Sequence, residues 1–163
     1  MSRLDSFIRR LEAQRACLNH LTHCIDGLDG IILELGLGNG RTYDHIRSTC
    51  PGREIFVFER EVRAHPDCIP EDKYLILGDI FETLPAFLSR AAGRVAMVHS
   101  DVGSGDAEHN KMIAARLSEI LPAALAPGGM IACDQPLDVG SLNPVDLPPG
   151  VPENRYFLYR KPA

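Results

Sequence analysis

One short segment, residues 31–42, constrains the fold of this chain more than any other. An apolar run is followed by Gly36, Gly38 and Gly40 at alternate positions, and a helical pattern begins at about Arg41. This order predicts a buried parallel strand, a tight glycine turn and the start of a helix. Glycine is needed where φ is positive or where a ligand lies against the backbone with no Cβ between them. Such a turn above a helix N-terminus is typical of nucleotide sites.

The composition predicts one globular domain spanning residues 1–163. Hydrophobic residues make up 45% of the chain, charged residues 24%, and the net charge is −5, which argues against an extended nucleic-acid-binding face. No apolar run approaches the roughly 20 residues that cross a bilayer, and the charged N-terminus does not resemble a signal peptide. The five cysteines lack a C-x-x-C pair, which indicates free thiols and a cytoplasmic protein.

The first 28 residues predict a long amphipathic helix over residues 3–25. Its apolar positions are Leu4, Phe7, Ile8, Leu11, Leu18, Leu21 and Ile25. We expect this helix to pack on the core or on a second subunit, with a lid over a bound cofactor as the alternative. His20, His23 and Cys24 lie on one turn of it without a second ligand cluster, so no zinc site is predicted.

From residue 30 to residue 134 the pattern alternates between short apolar runs and helical segments. The predicted strands are 31–35, 54–58, 73–77, 95–99 and 129–133, and the predicted helices are 40–49, 61–66, 80–91 and 107–124, the last with Asp106 as its N-cap. The strands lack polar alternation, as parallel strands buried on both faces do. The pattern predicts an α/β fold, a doubly wound Rossmann-like sheet that is mostly parallel, with helices on both faces.

The C-terminal region, residues 135–163, breaks this pattern. Five prolines predict that 135–153 is a loop, and an aromatic run at 155–161 predicts one final strand, antiparallel and at or near the sheet edge. The strand region after the fifth strand is therefore shortened. We expect homo-oligomers, because an exposed sheet edge and an amphipathic first helix both favour association.

Acidic residues follow four of the predicted strands. Glu59 and Asp79 end the second and third strands, Asp101 follows the fourth, and Asp134 follows the fifth. Carboxyl ends of parallel strands share one edge of the sheet, where Glu59 can accept hydrogen bonds from both hydroxyls of a ribose and Asp79 from an adenine amino group. No Gly-Lys-Ser/Thr phosphate loop is present. The pattern suits a ligand with a ribose, an adenine and a cationic group.

Five motifs along residues 30–134 resemble the ordered motifs of the class I S-adenosylmethionine-dependent methyltransferases. They are ELGLGNG, FVFERE, LILGDIF, VHSD and LAPGGMIACD. The resemblance implies S-adenosyl-L-methionine as cofactor and methyl transfer to a small-molecule acceptor by in-line displacement. The net charge argues against nucleic acid as a partner, and the lack of a long apolar run predicts no membrane partner. The alternatives are a non-catalytic S-adenosylmethionine-binding module and a nicotinamide-dependent oxidoreductase. Arg41 in the place of the last fingerprint glycine and the Pro-Gly-Gly turn before the fifth strand disfavour the oxidoreductase.

The resemblance also implies which residues bind the cofactor. They are Glu34, Gly36, Gly38, Gly40, Thr42, Glu59, Arg60, Asp79, Ile80, Ser100 and Asp101. The glycines would shape the bed for the amino-acid moiety, with Thr42 beside it. Glu59 would hold the ribose, and Asp79 with Ile80 would frame the adenine. Arg60 replaces an apolar residue that many members carry, and it either stacks on the adenine or points to solvent.

Catalysis in such an enzyme needs positioning and, for a protonated acceptor, a base. Asp101 is the first candidate for a residue at the reacting centre and His99 is a candidate base, with Glu108 and His109 as further candidates nearby. His99 has the alternative role of a buried strand residue satisfied by the backbone.

A second resemblance concerns a metal. Metal-dependent catechol-type O-methyltransferases carry an aspartate after the fourth strand and an Asp-Asn pair after the fifth, where this chain has Asp101 and then Asp134-Gln135. These three side chains are candidate ligands for Mg²⁺ or Ca²⁺. The alternative is that Asp134 and Gln135 only open the proline-rich loop.

Overall fold

A seven-stranded sheet organises the computed structural model of the chain, which describes residues 2–163. The strands are β1 (Ile31–Leu35), β2 (Ile55–Glu59), β3 (Leu75–Leu77), β4 (Val95–Ser100), β5 (Leu125–Cys133), β6 (Asn143–Val145) and β7 (Phe157–Arg160). The helices are α1 (Arg3–Cys24), α2 (Arg41–Thr49), α3 (Ile80–Leu88) and α4 (Ala107–Ala124). Short 3-10 turns lie at Pro66–Cys68 and Asp72–Tyr74.

The strand order is β3-β2-β1-β4-β5-β7-β6. The pairs among β1 to β5 are parallel, and β7 pairs antiparallel with both β5 and β6. The chain order reverses at β1, which lies between β2 and β4. In open α/β sheets ligands bind outside the carboxyl ends of the strands at this reversal. The doubly wound, mostly parallel sheet predicted from sequence is confirmed.

Helices cover both faces of the sheet, as predicted. One apolar cluster joins α1 and α2 to the sheet through buried residues such as Leu18 and Ile46. The other joins α3 and α4 to the opposite face through residues such as Leu84 and Leu117. Every residue of β1 is buried, which is why its sequence is a nearly continuous apolar run.

Two helices begin at side-chain caps, and the second of them, Asp106, was predicted from sequence. Ser2 and Asp5 form a capping box at the start of α1. Asp106 caps α4, since its carboxylate accepts hydrogen bonds from the backbone N–H groups of Glu108 and His109 at 3.0 and 3.1 Å.

The predicted helix at 61–66 is wrong. The segment runs as bends into the 3-10 turn at Pro66–Cys68. Proline disfavours helical backbone at the residue before it, here His65, and Pro70 follows only four residues later.

The prediction that all of 135–153 is loop is also wrong, because Asn143–Val145 forms β6. This short strand pairs with β7 and makes the seventh strand of the sheet, where the sequence predicted six. Its central residue, Pro144, is tolerated because β6 is an edge strand. No helix separates β5 from β7 in this described region, so the C-terminal part is short but contains both strands.

Candidate functional site

The glycine turn between β1 and α2 lies at the carboxyl edge of the sheet. Gly36, Gly38 and Gly40 have φ values of +88°, +53° and +83°, a left-handed conformation that favours glycine. Gly40 faces the 3-10 turn instead of open space, because a Cβ there would lie 2.5 Å from the Cβ of Cys68. Gly36 and Gly38 face two clefts, so the turn both packs and presents bare backbone to a ligand.

The first of these, which we name the main cleft, has a volume of about 280 Å³. Six residues predicted to bind the cofactor line it: Gly36, Gly38, Glu59, Arg60, Ile80 and Asp101. Phe58, Phe81 and Ile113 supply apolar walls. The main cleft therefore combines apolar walls with carboxylates and a guanidinium.

Glu59 is held firmly within the main cleft. One carboxylate oxygen accepts hydrogen bonds from the backbone N–H groups of Leu37 and Gly38, both at 2.9 Å. The other accepts from the Arg60 N–H at 2.7 Å. A carboxylate offers about four lone-pair positions, so with three of them occupied Glu59 can still accept from one ligand hydroxyl. Its position joins the glycine turn to the end of β2.

Asp79 is the N-cap of α3 and lies between Gly78 and Ile80, which line the main cleft, but it does not line the cleft itself. Its carboxylate accepts a hydrogen bond from the Phe81 N–H at 2.8 Å and pairs with the Arg60 guanidinium at 2.6 Å. The Phe81 N–H lowers the pKa of Asp79, and the Arg60 guanidinium lowers it further. The ion pair gives the Arg60 side chain a defined place at the cleft wall.

The second cleft, which we name the helix cleft, lies between α1 and the glycine turn and has a volume of about 160 Å³. Thr42 and Asp101 line it, as the predictions require, together with Arg10, Gln14 and Arg41. The carboxylate of Asp101 pairs with the Arg10 guanidinium at 2.8 Å and also accepts a hydrogen bond from the Gln14 amide. The helix cleft thus carries two guanidinium groups and one carboxylate.

Sequence reasoning missed Arg10 and Gln14. A signal was present, since the two residues are four positions apart and therefore share one face of α1. Gln14 is buried in the folded chain, and a glutamine within the apolar face of a helix indicates a polar partner.

A buried ion pair lies beneath the glycine turn. Glu34 and His99 have no exposed surface, and the Glu34 carboxylate accepts hydrogen bonds from His99 Nδ1, at 2.8 Å, and from the Thr42 hydroxyl. Burial lowers the pKa of His99, but the charge of Glu34 and its hydrogen bond outweigh burial, so this pKa lies above its usual value.

The buried pair supports the clefts from below. Neither Glu34 nor His99 lines the main cleft or the helix cleft, and the buried Ser100 also lines neither. The alternative role predicted for His99 had its side chain hydrogen-bonded to the backbone. In the structure, His99 Nδ1 is hydrogen-bonded to the Glu34 carboxylate. Of the other candidate bases, His109 lines the main cleft, whereas Glu108 pairs with Lys111 at the surface.

A third opening, which we name the Tyr156 cavity, has a volume of about 420 Å³ and lies at the ends of β4 and β5. Arg10, Asp101, Gly103, Asp134 and Tyr156 are among its lining residues. Asp101 lines all three openings and so stands at their junction. Sequence reasoning missed Tyr156, which reaches this edge only because β7 pairs with β5.

The three candidate metal ligands do not fit a Mg²⁺ or Ca²⁺ site as they lie. The Asp101 carboxylate is already paired with Arg10. One oxygen of Asp134 accepts from the Gly103 N–H at 3.1 Å and from the Gln135 amide nitrogen at 3.2 Å. No group of three or more His, Cys, Asp and Glu side chains within residues 2–163 is arranged to hold a metal.

Comparisons with known proteins agree with this geometry. The profile of a family described as S-adenosyl-L-methionine methyltransferase matches residues 1–161. The chain is 46% identical to an S-adenosyl-L-methionine methyl transferase from Silicibacter pomeroyi DSS-3, with 99% of each chain covered and a TM-score of 0.93. No curated protein sequence gives a significant match.

Two more distant structures share the fold alone. One is the Burkholderia thailandensis 1,6-didemethyltoxoflavin-N1-methyltransferase, at 15% identity, with 93% of this chain and 80% of that chain covered and a TM-score of 0.58. The other is a putative caffeoyl-CoA O-methyltransferase from Staphylococcus aureus, at 13% identity, 88% and 82% coverage and a TM-score of 0.56.

Proposed function

Because the chain belongs to the S-adenosyl-L-methionine methyltransferase family, we propose that the main cleft and the helix cleft together hold one molecule of this cofactor, whose methyl group passes to a small-molecule acceptor. Membership of this family rejects the alternative function of a nicotinamide-dependent oxidoreductase. The cofactor supplies a methyl group on a sulfonium sulfur, which is its own leaving group. The protein must therefore orient donor and acceptor in line and manage a proton.

The main cleft suits the adenosine half of the cofactor. Glu59 accepts three backbone hydrogen bonds and has about one lone pair left, which suits one ribose hydroxyl. Ile80 offers an apolar surface to the adenine, and the Arg60 guanidinium, fixed by Asp79, offers a plane for stacking. Asp79 lies between the lining residues Gly78 and Ile80, and we assign the adenine amino group to its carboxylate.

The helix cleft suits the amino-acid half, and this observation carries the proposal. It shares Gly36, Gly38 and Asp101 with the main cleft, so one elongated ligand can occupy both. An α-amino acid carries one ammonium and one carboxylate group. Arg10 and Gln14 both donate to Asp101 Oδ2, which leaves Oδ1 for the ammonium group. Arg41 and the remaining N–H groups of Arg10 match the carboxylate group. Bare backbone at the two glycines allows the ligand to lie close to the turn.

The chain's own residues then position the reaction. Asp101 stands where the helix cleft meets the Tyr156 cavity, so it remains our candidate at the reacting centre. The Glu34–His99 pair holds the end of β4 against the glycine turn through Thr42. We assign His99 to this positioning role, because its side chain lines none of the three openings.

Two adenosine ligands test the assignment of the helix cleft. S-adenosylhomocysteine carries the amino-acid half, and 5′-methylthioadenosine lacks it. In Arg10→Ala we expect the affinity for S-adenosylhomocysteine to fall about tenfold to 100-fold, as the loss of one charge-assisted hydrogen bond predicts, while methylthioadenosine binds as before. Glu59→Ala should weaken both ligands, since both contain the ribose.

Arg9→Ala is the matched control, because Arg9 is exposed on the same helix. Titration calorimetry gives the dissociation constants directly. An equal loss for both ligands in Arg10→Ala would contradict the assignment of the carboxylate to this arginine. Failure of the unaltered protein to bind S-adenosylhomocysteine would contradict the cofactor site as a whole.

We also propose that the enzyme works as a homo-oligomer in the cytoplasm. Leu4, Phe7 and Ile8 are exposed on α1, at 66%, 46% and 45% of their surfaces, and burial of such an apolar face against a second copy is favourable. Light scattering at micromolar concentration tests this, and a monomer would contradict it.

All five cysteines are free thiols, as in proteins of reducing compartments. Among residues 2–163 no helix is both long and apolar enough to cross a membrane.

A further inference from the structure

Three buried side-chain polar atoms lack a hydrogen-bond partner within residues 2–163. They are His99 Nε2, Asp134 Oδ1 and the Tyr156 hydroxyl. They come from the end of β4, the residue after β5 and the residue before β7, which meet at one edge of the sheet. An unpartnered buried polar group destabilises a fold. His99 lines none of the three openings, so a ligand could supply a partner only to Asp134 Oδ1 and to the Tyr156 hydroxyl.

Two of these three residues line the Tyr156 cavity. Tyr156 and Asp134 line it directly, and the Tyr156 ring stacks on His99 with centroids 6.2 Å apart and planes inclined by 14°. Only 3% of Tyr156 is exposed. The Asp134 carboxylate lies so close to Gly103 that a Cβ at this glycine would collide with it. Gly103 and Gln135 occupy one carboxylate oxygen of Asp134, so Oδ1 is the free one.

Among residues 2–163, Arg10 and Arg155 are the basic residues that line the cavity, and neither forms a salt bridge with Asp134. Asp101 is neutralised by Arg10, and His99 is paired with Glu34, whereas Asp134 forms no salt bridge among the described residues. Burial raises the pKa of Asp134, and the charge of Asp101 raises it further. Burial and the charge of Asp101 also raise the pKa of Tyr156, while the nearby Gln14 side chain lowers it. With its pKa raised, the Tyr156 hydroxyl is protonated at neutral pH.

We propose that the Tyr156 cavity is the acceptor site, and that it takes a small neutral molecule whose N–H or O–H group faces Asp134 while an adjacent oxygen or nitrogen accepts a hydrogen bond from Tyr156. The proposal rests on the proposed methyl transfer. The volume of the Tyr156 cavity, about 420 Å³, lies within the range of small-molecule pockets. Asp101 lines both the Tyr156 cavity and the helix cleft. A molecule in the cavity would therefore lie next to the methyl group of the cofactor.

The geometry assigns the proton to Asp134. Methyl transfer joins the methyl carbon to the acceptor nitrogen or oxygen and breaks the carbon–sulfur bond, whose electron pair stays on sulfur to give S-adenosylhomocysteine. The proton displaced from the acceptor passes to Asp134 Oδ1. A carboxylate with a raised pKa is suited to take it, since a base works best when its pKa approaches the working pH.

The first test compares two tyrosines on the same strand segment. The Tyr159 hydroxyl accepts from the Leu137 N–H at 2.9 Å and donates to the Leu137 carbonyl at 3.2 Å. Tyr159→Phe should therefore lower the Tm by roughly 2–6 °C. Tyr156→Phe removes an unpartnered hydroxyl, so it should leave the Tm unchanged or raise it. A loss in Tyr156→Phe as large as that in Tyr159→Phe would show a structural hydroxyl and overturn the proposal.

The second test uses a defined pair of probes with the protein saturated with S-adenosylhomocysteine. 2-Pyridone presents an N–H beside a carbonyl, and 1-methyl-2-pyridone lacks the N–H. Saturation-transfer NMR should show binding of 2-pyridone, with the signal of its methylated form at least fivefold weaker by the loss of one hydrogen bond. Asp134→Asn should abolish the difference between the probes, whereas Asp138→Asn, on the exposed part of the same loop, should preserve it.

Each outcome of the probe experiment decides something. No binding of 2-pyridone, equal binding of both probes, or an unchanged preference in Asp134→Asn would each overturn the acceptor site. Binding of S-adenosylhomocysteine is measured on the same samples. If it persists while the probe results fail, the cofactor site stands and only the acceptor assignment falls.

Discussion

Replacement of Glu34 by glutamine tests the buried pair that joins the glycine turn to β4. Glutamine has nearly the same shape as glutamate, so the change removes a charge and leaves the packing in place. In the folded chain the carboxylate accepts hydrogen bonds from His99 Nδ1 at 2.8 Å and from the Thr42 hydroxyl, with no exposed surface on either ionisable partner.

The expected loss of stability follows from this burial. Removing one partner of a buried ion pair costs about 3–5 kcal/mol. A glutamine oxygen still accepts one hydrogen bond, so we expect Glu34→Gln to fall at the lower end, about 3 kcal/mol. In a protein of this size each kcal/mol shifts the Tm by about 2–4 °C. The Tm of the variant should therefore drop by about 6–12 °C.

The loss should depend on pH with a definite sign. The pKa of His99 is raised in the folded chain, so the stability due to its protonation is fully present below about pH 6.5, its ordinary pKa. That stability disappears as the pH rises through the folded pKa. The Tm deficit of Glu34→Gln should thus be largest in mildly acidic solution and should narrow in alkaline solution.

Scanning calorimetry across this pH range provides the measurement. Glu12→Gln, on the exposed face of α1, is the matched control and should shift the Tm by less than about 2 °C. A deficit of the same size at every pH would refute the ion pair. A loss below about 1 kcal/mol would refute the argument that the carboxylate is essential to this buried network.

Two further predictions concern Asp134 and the glycine turn. The pKa of Asp134 is raised in the folded chain, so its contribution to stability falls as the pH rises from about 3.9 through the folded pKa. Asp134→Asn should therefore have a higher Tm than the unaltered protein at neutral pH and an equal one at acidic pH, and a lower Tm at neutral pH would contradict this. Gly40→Ala combines a left-handed φ with a Cβ 2.5 Å from that of Cys68, and should cost at least about 2 kcal/mol more than Gly52→Ala. Gly52 has φ of +81° and open space around it, so equal losses in chemical denaturation would show that the packing against Cys68 is unimportant.

Local pattern determined much of the fold. The apolar runs of β1, β2, β4 and β5 are readable because both faces of a parallel sheet are buried, and the glycine spacing marks the turn after β1. Placing Glu59 and Asp101 at one edge follows from parallel strand order alone. Both line the main cleft as a result.

Local pattern failed where short-range and long-range forces disagree. Pro66 ends the helical pattern predicted at 61–66. The three residues of β6 do not show the alternation of apolar and polar residues that predicts a strand. They form a strand only because β7 has an open edge with which they can pair. Neither outcome can be read from the segment itself.

The pairings at the site came only from tertiary structure. Glu34 meets His99 because β1 and β4 lie side by side in register, although 65 positions separate them in the chain. Arg10 reaches Asp101 because α1 packs across the strand ends, and Tyr156 joins Asp134 because β7 returns beside β5. Sequence patterns report which face of an element is buried. Which charged or polar groups meet there depends on how those faces pack, and packing is a property of the whole chain.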